Sequence, residues 1–295
     1  MDGIILVDKP AGPTSAEVVR RIKSYMRRAR VGHLGTLDPF ATGVLPILIG
    51  EATKLAPFIQ EGDKEYHGLI ALGTETDTLD RTGETTRSAE LPALDAAVLA
   101  EVAARFTGTF EQEPPIFSAI KRGGVPLYRL ARRGGEVAPP APRSVTIMQL
   151  EIVAAGADRL RFEVVCSSGM YVRSLARDIG TALGTAAHLY ELRRIRNGAF
   201  AAAEARSLME VAAALESDGD PGLINLRAAL PGMPEVAADA AIERRIRNGD
   251  SRALDGIAPA GARLFKVIAD GRLIAIAEAV SRMTAELLRV FNPDA

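Results

Sequence analysis

The stretch from residue 32 to residue 50 constrains the fold of this 295-residue chain more than any other part of the sequence. It reads Gly-His-Leu-Gly-Thr-Leu-Asp-Pro-Phe-Ala-Thr-Gly-Val-Leu-Pro-Ile-Leu-Ile-Gly, and Asp38 is its only acid. The glycines allow positive φ or close approach to another molecule, and Pro39 disfavours a helix through Asp38. An Asp-Pro pair often marks an ordinary turn. The glycines and the absence of a neighbouring charge favour instead a loop that presents a carboxylate to a ligand.

The composition indicates a globular protein with one large domain or, more in keeping with its length, a large and a small one. Hydrophobic residues make up 47% of the chain and charged residues 25%, which is ample for packed cores. The single cysteine, Cys166, excludes an internal disulfide and a cysteine zinc site. The N-terminus lacks the cations of a signal peptide, and no apolar window approaches the ~18 residues of a membrane span. We therefore expect a cytoplasmic protein that makes no use of a membrane.

The net charge is −1, but the cations are clustered. Four basic clusters stand out, at 20–30, 121–133, 193–196 and 244–247. Clusters of this kind on a neutral chain are typical of a protein that binds a polyanion on one face. Solvated helix faces are the alternative for any one cluster.

Local signals predict an alternation of strands and helices. Capping-box spacing at Thr14 and Ser207 predicts helices that begin there, and Asp270-Gly271 between alternating segments predicts a β-hairpin. The predicted strands are 3–7, the first part of 44–55, 64–73, 145–153, 160–166, 263–269 and 272–279. The predicted helices are 14–26, 92–108 with Pro92 at its first position, a short basic one at 126–133, 171–183 closed by Gly184, a short basic one at 185–196, and 207–215. A polar loop or hairpin is expected at 74–90, and irregular structure at 109–145.

The motif at 32–43 resembles the pseudouridine synthase motif Gly-His-x-Gly-x-Leu-Asp-Pro-x-Ala-Thr-Gly of the bacterial TruB family, the tRNA pseudouridine-55 synthases. RNA-guided archaeal and eukaryotic relatives carry a similar motif, so it specifies the chemistry more closely than the substrate. Further family elements follow in chain order and spacing over roughly residues 3–215. They are Lys9-Pro10, Lys64-Glu65-Tyr66, Gly169-Met170-Tyr171-Val172-Arg173-Ser174 and Leu192-Arg193-Arg194.

The resemblance implies roles for particular residues. Asp38 is the catalytic carboxylate, either as nucleophile at C1′ of the ribose or as base at C2′, and the sequence does not choose between these. Tyr66 stacks on the base and aids proton transfer at C5, and Arg173 pairs with the aspartate. The other residues expected to bind the substrate are Tyr171, the apolar pocket residue Leu192, His33 near the extruded nucleotide, and Lys9. Each alone has a plainer interpretation, such as a core tyrosine or a surface arginine.

The same resemblance implies the fold and the partners. The fold class is α+β, a mixed, mainly antiparallel pseudouridine synthase sheet flanked by helices, with a small β-rich PUA-like C-terminal domain. We expect a catalytic domain at 1–230, with a mobile basic loop at about 120–143, and an RNA-binding domain at 231–295. The activity would be isomerisation of uridine 55 in the T-loop of tRNA after base flipping. No cofactor, metal or protein partner is implied, and a monomer is expected.

Three other functions remain open at this point. A non-catalytic RNA-binding protein or chaperone could use the same basic surface, but it would have no use for a carboxylate that faces phosphates. A nucleotide-phosphate transferase could use the glycine-rich loop, but neither a metal-binding acid pair nor a phosphate-binding lysine lies nearby in the sequence. An RNA-guided enzyme is the alternative among pseudouridine synthases, although the chain shows no segment for docking onto a protein complex.

Overall fold

The computed structural model of the chain describes residues 1–26, 29–59, 62–118, 120–131, 138–281 and 283–292. Its strands are β1 (Gly3–Lys9), β2 (Val31–His33), β3 (Thr42–Ile49), β4 (Lys64–Leu72), β5 (Thr74–Thr76), β6 (Thr85–Ser88), β7 (Gly108–Gln112), β8 (Lys121–Arg122), β9 (Val125–Pro126), β10 (Arg143–Ala154), β11 (Arg159–Cys166), β12 (Ala187–Asn197), β13 (Phe200–Ala201), β14 (Arg206–Ser207), β15 (Leu223–Ile224), β16 (Glu235–Ala237), β17 (Leu264–Ala269), β18 (Arg272–Ala279) and β19 (Ala285–Val290). Its α-helices are α1 (Ser15–Tyr25), α2 (Ala56–Ile59), α3 (Ala96–Phe106), α4 (Leu127–Ala131), α5 (Val172–Ala182), α6 (Leu208–Glu216) and α7 (Ala240–Arg247). Short 3-10 helices cover Gly50–Leu55, Ala202–Glu204 and Ser251–Leu254.

A large mixed sheet forms the body of the molecule. Within the described residues it contains 11 strands, with the main order β14-β1-β3-β12-β4-β11-β10-β7. Most neighbours are antiparallel, while β12 runs parallel to β3 and β14 runs parallel to β1. The helices cover the sheet and enclose a core rich in aliphatic side chains from β1, β3, β4, β11 and β12. The predicted fold class, a mixed and mainly antiparallel sheet flanked by helices, is confirmed.

The predicted basic helix at 185–196 is wrong, because this segment is the central strand β12. Leucine and arginine favour helices in isolation, but tertiary pairing overrides that preference here. β12 is bonded to β4 on one side and to β3 on the other, and Leu189 and Leu192 are buried. The correction places the Leu-Arg-Arg element within the sheet, directly against the loop that carries Asp38.

Most helix ends lie where the capping residues in the sequence predict them. Capping boxes at Thr14 and Ser207 begin α1 and α6 as predicted, and Gly184, with a φ of +75°, follows the end of α5. The predicted start of α3 at Pro92 is wrong. The helix begins at Ala96, because the Asp95 side chain accepts a hydrogen bond from the Ala97 N–H and caps the first turn.

The hairpin alternative predicted for 74–90 is confirmed, and short strands also form in 109–145. Residues 74–88 form the hairpin β5–β6. The segment 109–145, predicted to be irregular, includes β7, which pairs with β10, and the small ladder β8–β9. The predicted basic helix at 126–133 is described over Leu127–Ala131. Residues 132–137 of the expected mobile loop lie outside the described residues, as do the side chains of Lys121 and Tyr128.

The C-terminal part of the chain forms a second sheet in the order β16-β17-β18-β19. Its predicted hairpin is confirmed: Asp270 and Gly271 have φ values of +48° and +75°, as a type I′ turn requires. One face of this sheet encloses a core of its own. From the other face Ile268, Leu273 and Ile276 join a core that also contains Ile4 of β1. A domain boundary at residue 231 and a PUA-like character stay predictions.

Candidate active site

The loop from residue 34 to residue 44 is built around the side chain of Arg194, which is only 1% exposed. Arg194 Nε donates to the Val44 carbonyl at 2.9 Å, and Nη2 donates to the Gly35 carbonyl at 3.0 Å and more weakly to that of Leu34 at 3.4 Å. Gly43 has a φ of +104°, and a Cβ there would lie 2.2 Å from the Arg194 carbonyl oxygen. Glycine at position 43 thus permits the approach, and one guanidinium holds both ends of the loop.

The middle of the loop is held by residues from β1 and α1. Lys9 is fully buried, and its Nζ donates to the carbonyls of Pro39 at 3.2 Å and Ala41 at 2.7 Å. Ser15 Oγ accepts from the Leu37 N–H at 2.9 Å and donates to the Leu37 carbonyl at 3.0 Å. Burial lowers the pKa of Lys9 to about 8, while the nearby Asp38 carboxylate opposes the shift. These bonds fix the backbone on both sides of Asp38.

The Asp38 carboxylate forms an ion pair with Arg173. Arg173 Nε lies 2.9 Å from Asp38 Oδ2, and Arg173 Nη2 donates to Asp38 Oδ1 at 3.2 Å. The Arg173 side chain is 8% exposed, whereas that of Asp38 is 31% exposed. A two-pronged pair of this kind is both strong and oriented. It leaves part of the carboxylate open to a ligand.

The remaining donors of Arg173 are also occupied. Nη1 donates to the Thr78 carbonyl and Nη2 to the Phe117 carbonyl, each at 2.9 Å. Nη1 lies 3.7 Å from Asp80 Oδ2. The Asp80 side chain is 6% exposed, and its Oδ1 accepts hydrogen bonds from the Thr82 N–H at 2.9 Å and the Thr82 hydroxyl at 2.6 Å. Arg173 is therefore locked between two carboxylates and cannot turn away from Asp38 without losing several bonds.

The electrostatics of Asp38 balance opposing influences. Burial raises the pKa of Asp38 above its usual value, Arg173 lowers it, Asp80 raises it and Lys9 lowers it. Burial alone would favour the protonated acid. The two cations oppose that effect, so the ionised form depends on their presence. A carboxylate in this position can act as a nucleophile or as a general base.

Tyr66 and Leu192 come from the neighbouring central strands β4 and β12. Tyr66 pairs with Arg194 in the ladder, and Leu192 pairs with Gly68. Burial raises the pKa of the Tyr66 hydroxyl, and Arg194 opposes that shift. The charge of Asp38 also raises the pKa of Tyr66. Arg194 thus lies between Tyr66 and the loop that carries Asp38, so the structure brings the predicted tyrosine and aspartate into one electrostatic environment.

Tyr171 and His33 lie at the periphery of this group. The side-chain amide of Gln112 holds the Tyr171 backbone through both its N–H, at 2.8 Å, and its carbonyl, at 3.1 Å. Tyr171 is the N-cap of α5, two residues before Arg173. His33 has a buried Nδ1 without a hydrogen-bond partner, and burial lowers its pKa. Neither residue makes a described contact with Asp38.

Sequence reasoning missed two members of the site, Asp80 and Arg194. Asp80 lies in the segment 74–90, for which the sequence predicts a polar loop or hairpin. Arg194 belongs to the basic cluster 193–196, for which the sequence predicts polyanion binding. Its guanidinium is buried against the Asp38 loop, and the other two arginines of the cluster have acid partners. Arg193 binds Asp8 through two hydrogen bonds of 3.0 and 2.8 Å, and Arg196 pairs with Glu65 at 3.4 Å.

The described part of the chain contains neither a membrane-spanning helix nor a metal-binding cluster. None of its helices combines the length and the apolar character needed to cross a bilayer. Over the same residues, no group of three or more His, Cys, Asp or Glu side chains is arranged to hold a metal ion.

Comparisons with known proteins define the class. The family described as TruB family pseudouridylate synthase (N terminal domain) matches residues 23–172, and the tRNA pseudouridylate synthase B C-terminal domain matches residues 173–233. The tRNA pseudouridine synthase B of Geobacter sulfurreducens is 39% identical over 99% of this chain and 100% of its own length. That of Geotalea uraniireducens is 40% identical over 100% of this chain and 99% of its own length.

A solved structure agrees with the sequence comparison. A crystal structure of a Cbf5–Nop10–Gar1 complex contains a chain that superposes with a TM-score of 0.75 and 27% identity, covering 99% of this chain and 85% of that one. The chain belongs to the TruB family of pseudouridylate synthases, and it is an isomerase that forms pseudouridine.

Proposed function

We propose that the protein isomerises uridine 55 in the T-loop of tRNA to pseudouridine and that Asp38 is its catalytic carboxylate. The observation that carries the proposal is the pair of Asp38 and Arg173, with a partly exposed carboxylate on a loop fixed along its length. The relatives named tRNA pseudouridine synthase B, about 40% identical over the full chain, support tRNA as the substrate.

The reaction detaches uracil from C1′ of the ribose, rotates the base and rejoins it through C5. Bonds are rearranged without net redox change and no group is lost. Asp38 acts either by attack on C1′ or by removal of the C2′ proton. Arg173 maintains the charge that both routes require, because it opposes the effect of burial on the Asp38 pKa.

The surrounding residues bind the nucleotide. Tyr66 stacks on the base and aids proton transfer at C5, and Leu192 supplies an apolar wall beside it. Tyr171 and His33 line the approach of the extruded nucleotide, and Lys9 shapes the loop through its carbonyl contacts. Extrusion of the base costs a few kcal/mol of stacking and pairing, which these aromatic contacts and the basic surface offset.

The rest of the chain contributes RNA binding. Residues 1–230 form the catalytic domain, and residues 231–295 form a PUA-like domain that contacts the tRNA. The enzyme works in the cytoplasm as a monomer and needs no protein partner. The alternative is action within an RNA-guided complex. It is less favoured because the curated relatives match this chain over nearly their full length as tRNA enzymes.

The test uses the purified protein alone. An unmodified tRNA transcript and a second transcript with cytidine at position 55 are treated without guide RNA or added protein. Pseudouridine is then mapped at nucleotide resolution. We expect modification at position 55 of the first transcript and none in the second. Modification elsewhere in the tRNA, or activity only after a guide RNA is supplied, would overturn the proposed substrate.

A further inference from the structure

Arg143, the first residue of β10, has a buried Nε atom with no hydrogen-bond partner among the described residues. The Nε–H is a donor, and it donates to no acceptor in the described part of the chain. Across the described residues, no carboxylate or carbonyl receives a hydrogen bond or ion pair from this side chain. Its described contact is with an aromatic ring: Arg143 Cζ lies 5.7 Å from the centroid of Tyr171. A buried donor without a partner is unfavourable unless an acceptor arrives from outside.

Three arginines on the elements that carry the site bind protein acceptors. Arg173 binds Asp38 and two carbonyls, Arg194 binds carbonyls of the loop, and Arg177 pairs with Asp178 at 2.8 Å. Arg143 differs from these three because its buried Nε–H donates to no acceptor within the described residues. The described part of the fold therefore leaves the Nε of Arg143 without an acceptor, whereas Arg173, Arg194 and Arg177 each bind one or more.

The location connects Arg143 to the chemistry. Arg143 pairs with Gln112 in the ladder between β10 and β7, and the Gln112 amide holds the backbone of Tyr171 on both sides. Two residues further on, Arg173 binds Asp38. The strand ladder, the Gln112 amide and two peptide bonds thus join Arg143 to the residue that binds the candidate catalytic carboxylate.

We propose that Arg143 binds a phosphate of the RNA backbone next to the target uridine. This inference rests on the proposed function, since it takes RNA as the substrate. A guanidinium offers parallel donors that match the oxygens of a phosphate. A nucleotide whose ribose reaches Asp38 brings its flanking phosphates close to the same cleft. The ring of Tyr171 lies beside the guanidinium and limits its orientation, as in other cation–π pairs.

The experiment pairs a protein variant with a change in the RNA. The probe is a T-arm stem-loop in which each phosphate within two nucleotides of the target is replaced in turn by a neutral methylphosphonate. The dissociation constant is measured for the wild type and for Arg143→Gln. With unmodified RNA we expect the variant to bind about tenfold more weakly, as for the loss of one charge-assisted contact. One methylphosphonate should weaken wild-type binding by a similar factor and should weaken the variant no further.

Two further variants complete the design. Arg143→Lys keeps the charge but loses the forked geometry, so its binding should fall between those of the wild type and Arg143→Gln. Arg161→Gln is the control, because Arg161 is an exposed arginine on the adjacent strand β11, where it alternates with the buried Leu160 and Phe162. It should respond to every methylphosphonate as the wild type does.

The outcomes separate the two proposals. Formation of pseudouridine by the wild type on unmodified RNA reports on the proposed function. The dissociation constants of the variant and the substituted RNAs report on Arg143 whether or not the RNA reacts. The inference would be overturned if every methylphosphonate weakened binding by Arg143→Gln as much as binding by the wild type. It would also be overturned if Arg143→Gln bound unmodified RNA like the wild type.

Discussion

Arg173 contacts both oxygens of Asp38, with its Nε at 2.9 Å from Oδ2 and its Nη2 at 3.2 Å from Oδ1. The two residues are 135 positions apart in the chain, one on a glycine-rich loop and the other in the first turn of α5. This geometry couples the charge of the carboxylate to that of the adjacent guanidinium. The ionisation of Asp38 should therefore respond to changes in its neighbours with a definite sign.

Replacement of Arg173 by methionine should move the acidic limb of the activity profile to higher pH. Arg173 lowers the pKa of Asp38 against the effect of burial, so its loss raises that pKa and protonates the carboxylate sooner as pH falls. The measurement is the single-turnover rate across pH. Arg177→Met is the control, because Arg177 lies on the same helix and pairs with Asp178 instead. An unchanged acidic limb with weaker tRNA binding would identify Arg173 as a phosphate contact.

Asp80→Asn should move the acidic limb of the activity profile to lower pH. The Asp80 charge raises the pKa of Asp38, so its removal lowers that pKa and extends activity toward acid. The maximal rate should still fall, since Arg173 loses the carboxylate that lies 3.7 Å from its Nη1. Single-turnover rates across pH test both effects. If the acidic limb moved to higher pH instead, Asp80 would act mainly by orienting Arg173.

The contact between Gly43 and Arg194 can be tested by a matched pair of alanine variants. Gly43 and Gly108 have φ values of +104° and +109°, but a Cβ meets the Arg194 backbone at 2.2 Å in the first case and nothing within 4 Å in the second. Positive φ costs an alanine about 1–3 kcal/mol, and overpacking adds about 1–3 kcal/mol. Urea unfolding should therefore show a loss for Gly43→Ala about 2 kcal/mol larger than for Gly108→Ala. Equal losses would mean that the loop moves away from Arg194 freely.

The C-terminal basic cluster yields a prediction about salt dependence. Arg244 is exposed and has no acid partner within the described residues, whereas Arg245 pairs with Asp250 at 3.0 Å. If this rim contacts tRNA phosphates, Arg244→Gln should weaken binding and reduce the slope of log K against log salt by about 1. Arg245→Gln should have a smaller effect, because its charge is already compensated. Identical slopes for wild type and Arg244→Gln would place the RNA elsewhere.

The parts of the fold that depend on local chemistry were predictable from the sequence. Capping residues, the Asp270-Gly271 turn and the extended loop at Asp38 are determined by side chains within a few positions. The strand β12 was not, because its pairing with β3 and β4 involves residues more than a hundred positions away. Helix propensity at 185–196 pointed to the wrong structure for the same reason.

The site likewise combines a feature that the local sequence predicts with contacts between distant segments. Asp38 stands out in its motif, but the partners that fix its charge and position come from distant segments. Asp80 becomes buried because Leu79 and Arg81 exchange backbone hydrogen bonds with Leu189 of β12. Arg194 reaches Val44 across 150 positions. No period or local spacing in the sequence indicates either contact.

The most direct test of the account is the rate at which Asp38→Asn forms pseudouridine at position 55 of an unmodified tRNA. The substitution keeps the size of the side chain and removes the charge that the reaction uses. We expect no measurable product under single-turnover conditions, with tRNA affinity within several-fold of the wild type because phosphate contacts are unaffected. A variant that retains more than about a tenth of the wild-type rate would contradict the role of Asp38.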